Sequence, residues 1–290
     1  MTLRAATIRV RHAAGLAAAS ARRLSSQIAS HYSGDVREVY DSAPFYAPGP
    51  YEAWLTSACL ERLELRAGHT LADIGGGSGA FASKLKQETG ARWLTVIEPS
   101  ADMLSGASSD MLVDAAECAD ATTWAEAGAP PAFAAVPTTY DRLLLKEVVH
   151  HLDAPERRSL FGALRTRRLR ATGGQLLIVT RPHREIDYPL WPAARDVWAA
   201  HQPSEAQLET ELRAAGFDAV KTHLHAYPHE VATDEWCRLV RGRFWSTFSH
   251  FSDDELLAAC AHIRAQAAAA GDAHTLHFDD RLLLIVARMT

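Results

Sequence analysis

The sequence has few cysteines, no long apolar run and no surplus of basic residues among its 290 positions. No segment approaches the roughly 20 apolar residues that a membrane-spanning helix needs, so no membrane span is predicted. A formal net charge of -5 argues against nucleic acid as a main partner, because proteins that bind it carry basic surfaces. The four cysteines are far apart and form no Cys-x-x-Cys pair, which favours free thiols in a reducing compartment over a zinc site or a disulfide framework.

Acidic residues are absent before Asp35, whereas five arginines lie among the many alanines and serines of the first 34 positions. Such a segment can form a basic amphipathic helix, which is typical of an organelle transit peptide. We therefore predict that residues 1–30 are a transit peptide, cut after Leu24, and that residues 35–290 form the functional domain. The predicted location is the mitochondrial matrix or another organelle. The alternatives are a cytoplasmic protein or a bacterial protein with a disordered basic arm.

Glycines are concentrated at one turn. Residues 71–79 read Leu-Ala-Asp-Ile-Gly-Gly-Gly-Ser-Gly, an apolar strand that meets a tight turn and then a helix. Glycine is needed where φ is positive or where the backbone approaches a ligand closely, and the helix that follows directs its free N–H groups at that ligand. The spacing departs from the Gly-x-Gly-x-x-Gly of dinucleotide-binding turns, because Gly75, Gly77 and Gly79 occupy every second position.

The motif Asp-x-Gly-x-Gly-x-Gly of residues 73–79 resembles motif I of the class I S-adenosylmethionine (SAM) methyltransferases. A second apolar strand, 93–97, ends at Glu98, about 20 residues further on, where a carboxylate can accept both hydroxyls of a ribose. The resemblance implies SAM as the cofactor, with Asp73 near its cationic methionine end. The spaced glycines and Glu98 complete the predicted cofactor site.

The resemblance also implies an acidic residue that contacts the adenine amino group. A short strand is predicted at 111–113, and Asp114 directly follows it, so Asp114 is assigned this role. Glu117 and Asp120 are close enough in sequence to be the true equivalent. An aspartate after a strand is also often a helix cap.

Strands and helices alternate along the chain, which predicts an α/β fold with a doubly wound parallel sheet. The resemblance implies a Rossmann-like seven-stranded sheet that closes with an antiparallel pair of strands. Some fifty residues separate the last two predicted strands, 219–226 and 281–287, and a capping box at 252–255 indicates helices between them. We therefore predict a helical cap insertion before the last strand, at 232–273, and another insertion over the site at 186–202.

Two adjacent histidines follow the strand predicted at 140–149. His150 and His151 lie at the edge where open α/β sheets bind ligands, and histidine is the side chain best suited to accept a proton near neutral pH. They are the candidate catalytic residues, with a structural role as the alternative. His223 and His225 alternate on a later strand, but no cysteine or acidic residue joins them at ligand spacing, so no metal site is predicted.

Basic and aromatic residues surround the same predicted edge. Arg181 and His183 follow the strand at 175–180, and arginine can clamp a carboxylate through two parallel hydrogen bonds. In the resembled family the region of Tyr40 packs over the cofactor as a lid, and Trp245 lies in the insertion expected to exclude water. These four residues are the candidate substrate contacts.

These observations predict a SAM-dependent methyltransferase that acts on a small, anionic, carboxylate-bearing substrate at O, S or N. Few dedicated catalytic groups are needed, because methyl transfer requires mainly that the acceptor be held close and aligned in a dry pocket. The alternatives are a mitochondrial methyltransferase that acts on a protein or a quinone ring, and a methyltransferase-like assembly factor without turnover. No oligomeric state is predicted.

Overall fold

Short apolar segments form the parallel part of a β-sheet in the computed structural model, which describes residues 9–10, 49–127 and 136–290. The first and fifth strands are buried along their whole length, as expected of parallel strands that helices cover on both faces. The parallel strands are β1 (Thr70–Ile74), β2 (Trp93–Glu98), β3 (Ala115–Cys118), β4 (Arg142–Lys146) and β5 (Gln175–Thr180).

Two long antiparallel strands, β6 (Ala219–Ala232) and β7 (Thr275–Arg288), complete the sheet. The strand order is β3-β2-β1-β4-β5-β7-β6, with the two residues Arg9–Val10 paired in parallel outside β3. The chain winds outward from β1 to β3 and then returns to the other side of β1 with β4. The carboxyl ends of β1 and β4 therefore flank the switch point, where such sheets bind ligands. The predicted Rossmann-like, doubly wound sheet of seven strands is confirmed.

Helices connect the strands and cover both faces of the sheet. Several begin at side chains that cap free backbone N–H groups, including the capping box predicted at Ser252 and the capping boxes at Ser204 and Asp153. The α-helices of the described residues are α1 (Pro50–Leu63), α2 (Ala80–Thr89), α3 (Ala101–Ser109), α4 (Ala121–Glu126), α5 (Ala154–Ala163), α6 (Pro192–His201), α7 (Glu205–Ala214), α8 (Thr233–Arg241) and α9 (Asp253–Ala269). None of these helices is long and apolar enough to cross a membrane.

The apolar core lies on both faces of the sheet. Successive residues of a strand point to opposite faces, so Leu144 belongs to one buried cluster, whereas Leu143 and Leu145 belong to the other. The cluster that contains Leu144 continues into the insertion between β6 and β7, where it includes Trp236 and Phe248. The insertion therefore shares its core with the sheet.

The last two strands extend beyond the sheet as a two-stranded ribbon. Their pairing runs from Ala219 opposite Arg288 to Ala232 opposite Thr275, whereas β5 pairs with β7 only as far as Leu283. Helices α8 and α9 lie between β6 and β7 in sequence, as predicted for a helical insertion before the last strand. The ribbon carries this insertion over the carboxyl ends of β4 and β5.

Several predicted boundaries are corrected. The strand β3 follows residue 114 instead of ending before it, and β4 ends at Lys146, so that residues 149–151 form a turn of 3-10 helix. The helix α5 continues into a π-helical turn at Leu164–Arg168. Within 186–202 only Pro192–His201 is helical.

Candidate functional site

The glycine turn after β1 has the backbone conformation that its sequence predicts. The φ angles are 72° at Gly75, 56° at Gly77 and 75° at Gly79, in the left-handed region that favours glycine. The N–H groups of Gly75 and Gly76 donate to the carbonyl oxygen of Ile97 at 2.8 and 3.1 Å. These bonds fix the turn to the end of β2, and α2 begins directly after it.

Close neighbours also exclude a side chain from this turn. A Cβ atom at Gly75 would lie 2.5 Å from Cγ2 of Val148, and one at Gly76 would lie 2.5 Å from Oδ2 of Asp73. The turn is therefore packed between the end of β1 and the segment that follows β4. The glycine N–H groups of the turn are bonded within the protein, to Ile97, Glu98 and Gly76, and the turn leaves the Asp73 carboxylate at the ligand edge.

Asp73 is a buried carboxyl group beside the turn, with 2% of its surface exposed. Burial raises its pKa to about 7, Lys146 at the end of β4 opposes this rise, and Glu98 adds to it. Burial in turn lowers the pKa of Lys146, while the carboxylates of Glu147 and Asp73 oppose that shift. Neighbouring buried groups of opposite charge are suited to the ammonium and carboxylate of an amino acid.

Glu98 lies at the end of β2 with its carboxylate held in place by the backbone. Its Oε2 accepts the N–H of Gly77 at 3.1 Å, and its Oε1 accepts the N–H of Ser100 at 2.9 Å. Burial raises the pKa of Glu98, and the two backbone hydrogen bonds partly offset this effect. Each carboxylate oxygen has a second lone pair, so Glu98 can still accept a hydroxyl group from a ligand.

Asp114 lies at the opposite edge of the sheet from the turn. It precedes β3, and its Oδ2 accepts the N–H of Leu94 at 2.8 Å and the Lys86 ammonium at 2.5 Å. The prediction that Asp114 contacts adenine is therefore corrected: the strand begins after this residue, and its carboxylate links β2 to α2. Of the two alternatives, Glu117 lies within β3, and Asp120 follows its carboxyl end and caps α4.

His150 and His151 lie at the predicted edge, on the 3-10 turn after β4. Their ring centroids are 4.0 Å apart, and Nδ1 of His150 is buried without a hydrogen-bond partner. Burial lowers the pKa of His150 to about 3, and the charges of Arg181 and His201 act in the same direction. His150 is therefore neutral at physiological pH and a poor proton acceptor, which argues against the predicted role of a general base.

Arg181 follows β5 as predicted but is already paired inside the protein. Only 3% of its surface is exposed. Its Nε and Nη2 donate to the two oxygens of Asp280 at 3.2 and 3.3 Å, and its Nη1 donates to Oε2 of Glu147. Two carboxylates therefore surround one guanidinium, and the predicted clamp for a substrate carboxylate is not available in this arrangement.

Two tyrosines complete the partners of Asp280, which is fully buried on the ribbon. The hydroxyl of Tyr51 on α1 donates to Oδ2 at 2.5 Å, and that of Tyr188 donates to Oδ1. Burial alone would raise the pKa of Asp280, but Arg181 and the two hydroxyls outweigh it and lower the pKa. Asp280 is therefore a carboxylate at neutral pH, and burial keeps both tyrosines protonated by raising their pKa.

The remaining predicted substrate contacts have other neighbours. Nδ1–H of His183 donates to the carbonyl oxygen of Gln202 at 2.6 Å, and Nε of Arg184 donates to its Nε2 at 3.1 Å, so both ring nitrogens are occupied. The Trp245 ring lies 5.4 Å from the Arg181 guanidinium and covers it from the insertion. Tyr40 lies outside the described residues.

Sequence reasoning did not identify Glu147, Asp280 or Tyr51. Glu147 had a local signal, because two charged residues follow the apolar run of β4. The partners of Arg181 had none, since Asp280 lies 99 residues further along the chain, and Tyr51 lies 229 residues before Asp280.

The family model described as Methyltransferase domain matches residues 51–222, more than half of the chain. No curated protein matches the sequence. Among solved structures, phosphoethanolamine N-methyltransferase 2 of Haemonchus contortus, in complex with SAM, is similar with a TM-score of 0.56 and 16% identity, over 91% of this chain and 59% of that one. This chain thus spans about three fifths of the length of that enzyme.

Two further structures share the fold over nearly their whole length. The cyclopropane synthase MmaA2 of Mycobacterium tuberculosis has a TM-score of 0.54 and 14% identity, over 91% of this chain and 98% of that one. The magnesium protoporphyrin IX methyltransferase of Synechocystis, with bound SAM, has a TM-score of 0.50 and 12% identity, over 91% and 97%. At these identities the likeness concerns the fold. The chain therefore belongs to the methyltransferase domain family and has the class I fold of the enzymes that use SAM as their cofactor.

Proposed function

We propose that this chain is a SAM-dependent methyltransferase that acts on a small molecule. The observation that carries the proposal is the meeting of Asp73, the glycine turn and Glu98 at the carboxyl ends of β1 and β2. A methyltransferase-like assembly factor would not need this complete set of polar groups. The set therefore favours an enzyme with turnover over the assembly factor.

Each end of the cofactor has a proposed partner at this edge. Asp73 faces the cationic methionine end, and Lys146 supplies a positive charge for its carboxylate. Glu98 accepts the ribose hydroxyls, since the backbone already orients its carboxylate. Asp120 replaces Asp114 as the candidate for the adenine amino group, because it lies at the correct end of β3.

SAM supplies a methyl group on a sulfonium, which is activated for attack by a nucleophile. The protein's contribution is then to hold the acceptor in line with that methyl group and to exclude water. The insertion between β6 and β7 is suited to this, because Trp245 and its aromatic neighbours are buried over the edge. His150 is not given the role of a base in this proposal, because burial lowers its pKa, whereas His151 stays the candidate for that role.

The anionic substrate expected from the sequence loses its main support. Arg181 was the principal candidate for binding a carboxylate, and its guanidinium contacts Asp280 and Glu147 instead. We therefore propose a small-molecule acceptor without requiring that it be an anion.

The proposal is tested by calorimetric titration of SAM and of its demethylated product, S-adenosylhomocysteine (SAH). Both should bind the parent protein. Glu98→Ala should weaken SAM binding by a factor of about 10 to 150, which corresponds to the loss of a hydrogen bond to a charged group worth roughly 1.5–3 kcal/mol. Asp114→Ala is the matched control, because this carboxylate lies at the opposite edge, and its SAM affinity should stay at the parent value.

Failure of the parent protein to bind SAM or SAH would refute the proposed function. Equal SAM affinity in Glu98→Ala and in the parent would refute the assigned role of Glu98. Melting temperatures of both variants show whether a loss of affinity reflects a loss of folded protein.

A further inference from the structure

Glu147 has an unusual backbone conformation directly after β4. Its φ is 59°, in the left-handed region, and among the described residues only Glu64 and Arg243 share this property without being glycine. Glu64 caps the end of α1, and Arg243 lies in the loop that follows α8, so both are at the ends of helices. Glu147 instead lies at the ligand edge, where residues in rare conformations are often part of a functional arrangement.

The Glu147 carboxylate is satisfied on one side only. Its Oε2 accepts the hydrogen bond from Arg181, whereas its Oε1 is buried and has no hydrogen-bond partner. Buried carboxylate oxygens are normally hydrogen-bonded, because leaving one unpaired costs its lost hydration. An acceptor atom in this position therefore calls for a donor that the protein does not supply.

A second carboxylate that is paired with an arginine gives a comparison for Glu147. Glu211 on α7 binds Arg157 through both of its oxygens, at 2.8 and 3.0 Å. The Glu211 side chain is 9% exposed, compared with 16% for Glu147, and neither of its oxygens lacks a partner. Hydroxyl groups such as those of Thr56 and Ser83 are also buried without a partner, but among the described residues Oε1 of Glu147 is the buried carboxylate oxygen with this property.

The position of Glu147 connects it to the cofactor turn. Its neighbour Val148 packs against Gly75, where a Cβ atom would lie 2.5 Å away. Its other neighbour, Lys146, ends β4 beside Asp73. Glu147 therefore lies at the switch point, between the turn proposed to hold SAM and the Arg181 network.

The charges around this point leave Glu147 as the acceptor. Asp280 receives two tyrosine hydroxyls and the Arg181 guanidinium, so both of its oxygens have donors. Arg181 and Lys146 are the two cations beside the three carboxylates of Glu147, Asp280 and Asp73, because Lys146 interacts with Glu147 as well as with Asp73. With all three carboxylates ionised, this group has one excess negative charge, and His150 is neutral. A ligand that brings a hydrogen-bond donor or a positive charge complements the network, whereas a carboxylate opposes it.

We propose that Glu147 is a substrate-binding residue that selects amines as methyl acceptors: its Oε1 accepts a hydrogen bond from the acceptor's ammonium N–H and thereby orients the nitrogen beside the cofactor turn. The ammonium releases one proton to water, and its freed lone pair then forms the bond to the methyl group while the bond from that group to the SAM sulfur breaks. This inference rests on the proposed function, since it requires SAM at that turn. Arg181, Asp280 and the two tyrosines act as positioning residues, because they hold the carboxylate from the other side. The predicted substrate class is thus a small amine and not a small carboxylate.

Ligand-observed NMR on the complex with SAH provides the test. The probes are phenethylamine, tyramine and ethanolamine, compared with 3-phenylpropionate, which has the phenethyl group of phenethylamine but carries a carboxylate in place of the amine. We expect at least one amine to bind and the carboxylate not to bind. Glu147→Gln should weaken amine binding about ten-fold or more, because the charge that faces the amine is lost. Glu211→Gln is the matched control and should bind the amine like the parent.

The outcomes separate this inference from the proposed function. If SAH does not bind the parent, both fail. If SAH binds but no amine does, or 3-phenylpropionate binds as tightly as the amines, only the inference is overturned. Equal amine affinity in Glu147→Gln and in the parent also overturns it. If Glu147→Gln does not fold, Glu147→Asp retains the charge and withdraws the oxygen, and an unchanged amine affinity in that variant overturns the inference as well.

Discussion

The surroundings of Asp73 at the cofactor edge determine the pKa of its carboxyl group. The sequence was sufficient to identify Asp73, together with the glycines and Glu98, because all of them lie within 26 consecutive residues of a local motif. The role of Arg181 could not be read in the same way, since its charge is neutralised by Asp280, which the chain brings back 99 residues later. A residue's position at an edge is a local property, whereas its free charge depends on the whole fold.

The raised pKa of Asp73 predicts a pH dependence of SAM binding. The carboxyl group titrates at about 7, and its ionised form attracts a cationic ligand. SAM affinity should therefore rise about ten-fold between pH 6 and pH 8 and change little above that. Calorimetry across this range checks the prediction, and Asp73→Asn should bind weakly with no such dependence.

The pH dependence of stability has the opposite sign to that of SAM binding. The native protein holds a proton that the unfolded chain releases above its ordinary pKa of 3.8, so the contribution of Asp73 favours folding at low pH and is lost as pH rises to about 7. In Asp73→Asn the unliganded protein should lose this decline. A SAM affinity that is flat with pH in the parent would contradict the assignment of Asp73.

At the scale of elements, strand prediction succeeded where the sheet alone determines burial. The fifth strand was predicted at its observed bounds, because four consecutive apolar residues lie between Gln175 and Thr180 and all six residues are buried. The two strands of the ribbon were predicted at only about half of their observed length. Beyond Ala226 the sequence Tyr-Pro-His-Glu has no apolar alternation, since the insertion and α1, not the sheet, cover these residues.

The contact between α1 and the ribbon predicts a stability effect of Tyr51. Its hydroxyl is one of the donors that compensate the buried carboxylate of Asp280. Tyr51→Phe should lower the free energy of unfolding by about 1.5–3 kcal/mol, as expected when a charged group loses a hydrogen bond. Tyr227→Phe is the control, because Tyr227 packs against the Tyr51 ring at 5.2 Å but is half-exposed.

Denaturant unfolding at neutral pH measures both variants. Tyr227→Phe should change stability by less than about 0.5 kcal/mol. An equally small change for Tyr51→Phe would mean that Asp280 does not depend on this hydroxyl.

At the scale of the whole molecule, the basic N-terminal segment remains a prediction about processing. We propose that residues 1–24 direct import into mitochondria or another organelle, because this segment is rich in arginine and lacks acidic residues. The protein isolated from its native source should begin at Ser25, and N-terminal sequencing measures this directly. A start at Met1 or Thr2 would contradict cleavage.

The same proposal predicts that the segment is dispensable for the fold, even though Arg9–Val10 pair with Glu117 and Cys118 at the edge of the sheet. The chain lacking residues 1–24 should have the melting temperature of the full chain and should bind SAH with the same affinity. A lower melting temperature would instead indicate that the segment belongs to the folded domain.

The insertion between β6 and β7 begins and ends at neighbouring residues of the ribbon, but its side chains also pack against the ribbon. Its two ends meet, because Ala232 pairs with Thr275 and the N–H of Thr233 donates to the carbonyl oxygen of His274 at 2.8 Å. The segment between Ala232 and Thr275 could thus be replaced at a single graft point without changing any strand of the cofactor edge. Trp236 packs on Phe278 of the ribbon, however, at 5.3 Å between ring centroids. A successful exchange of acceptor specificity would therefore have to transplant the outer half of the ribbon together with the helices that it carries.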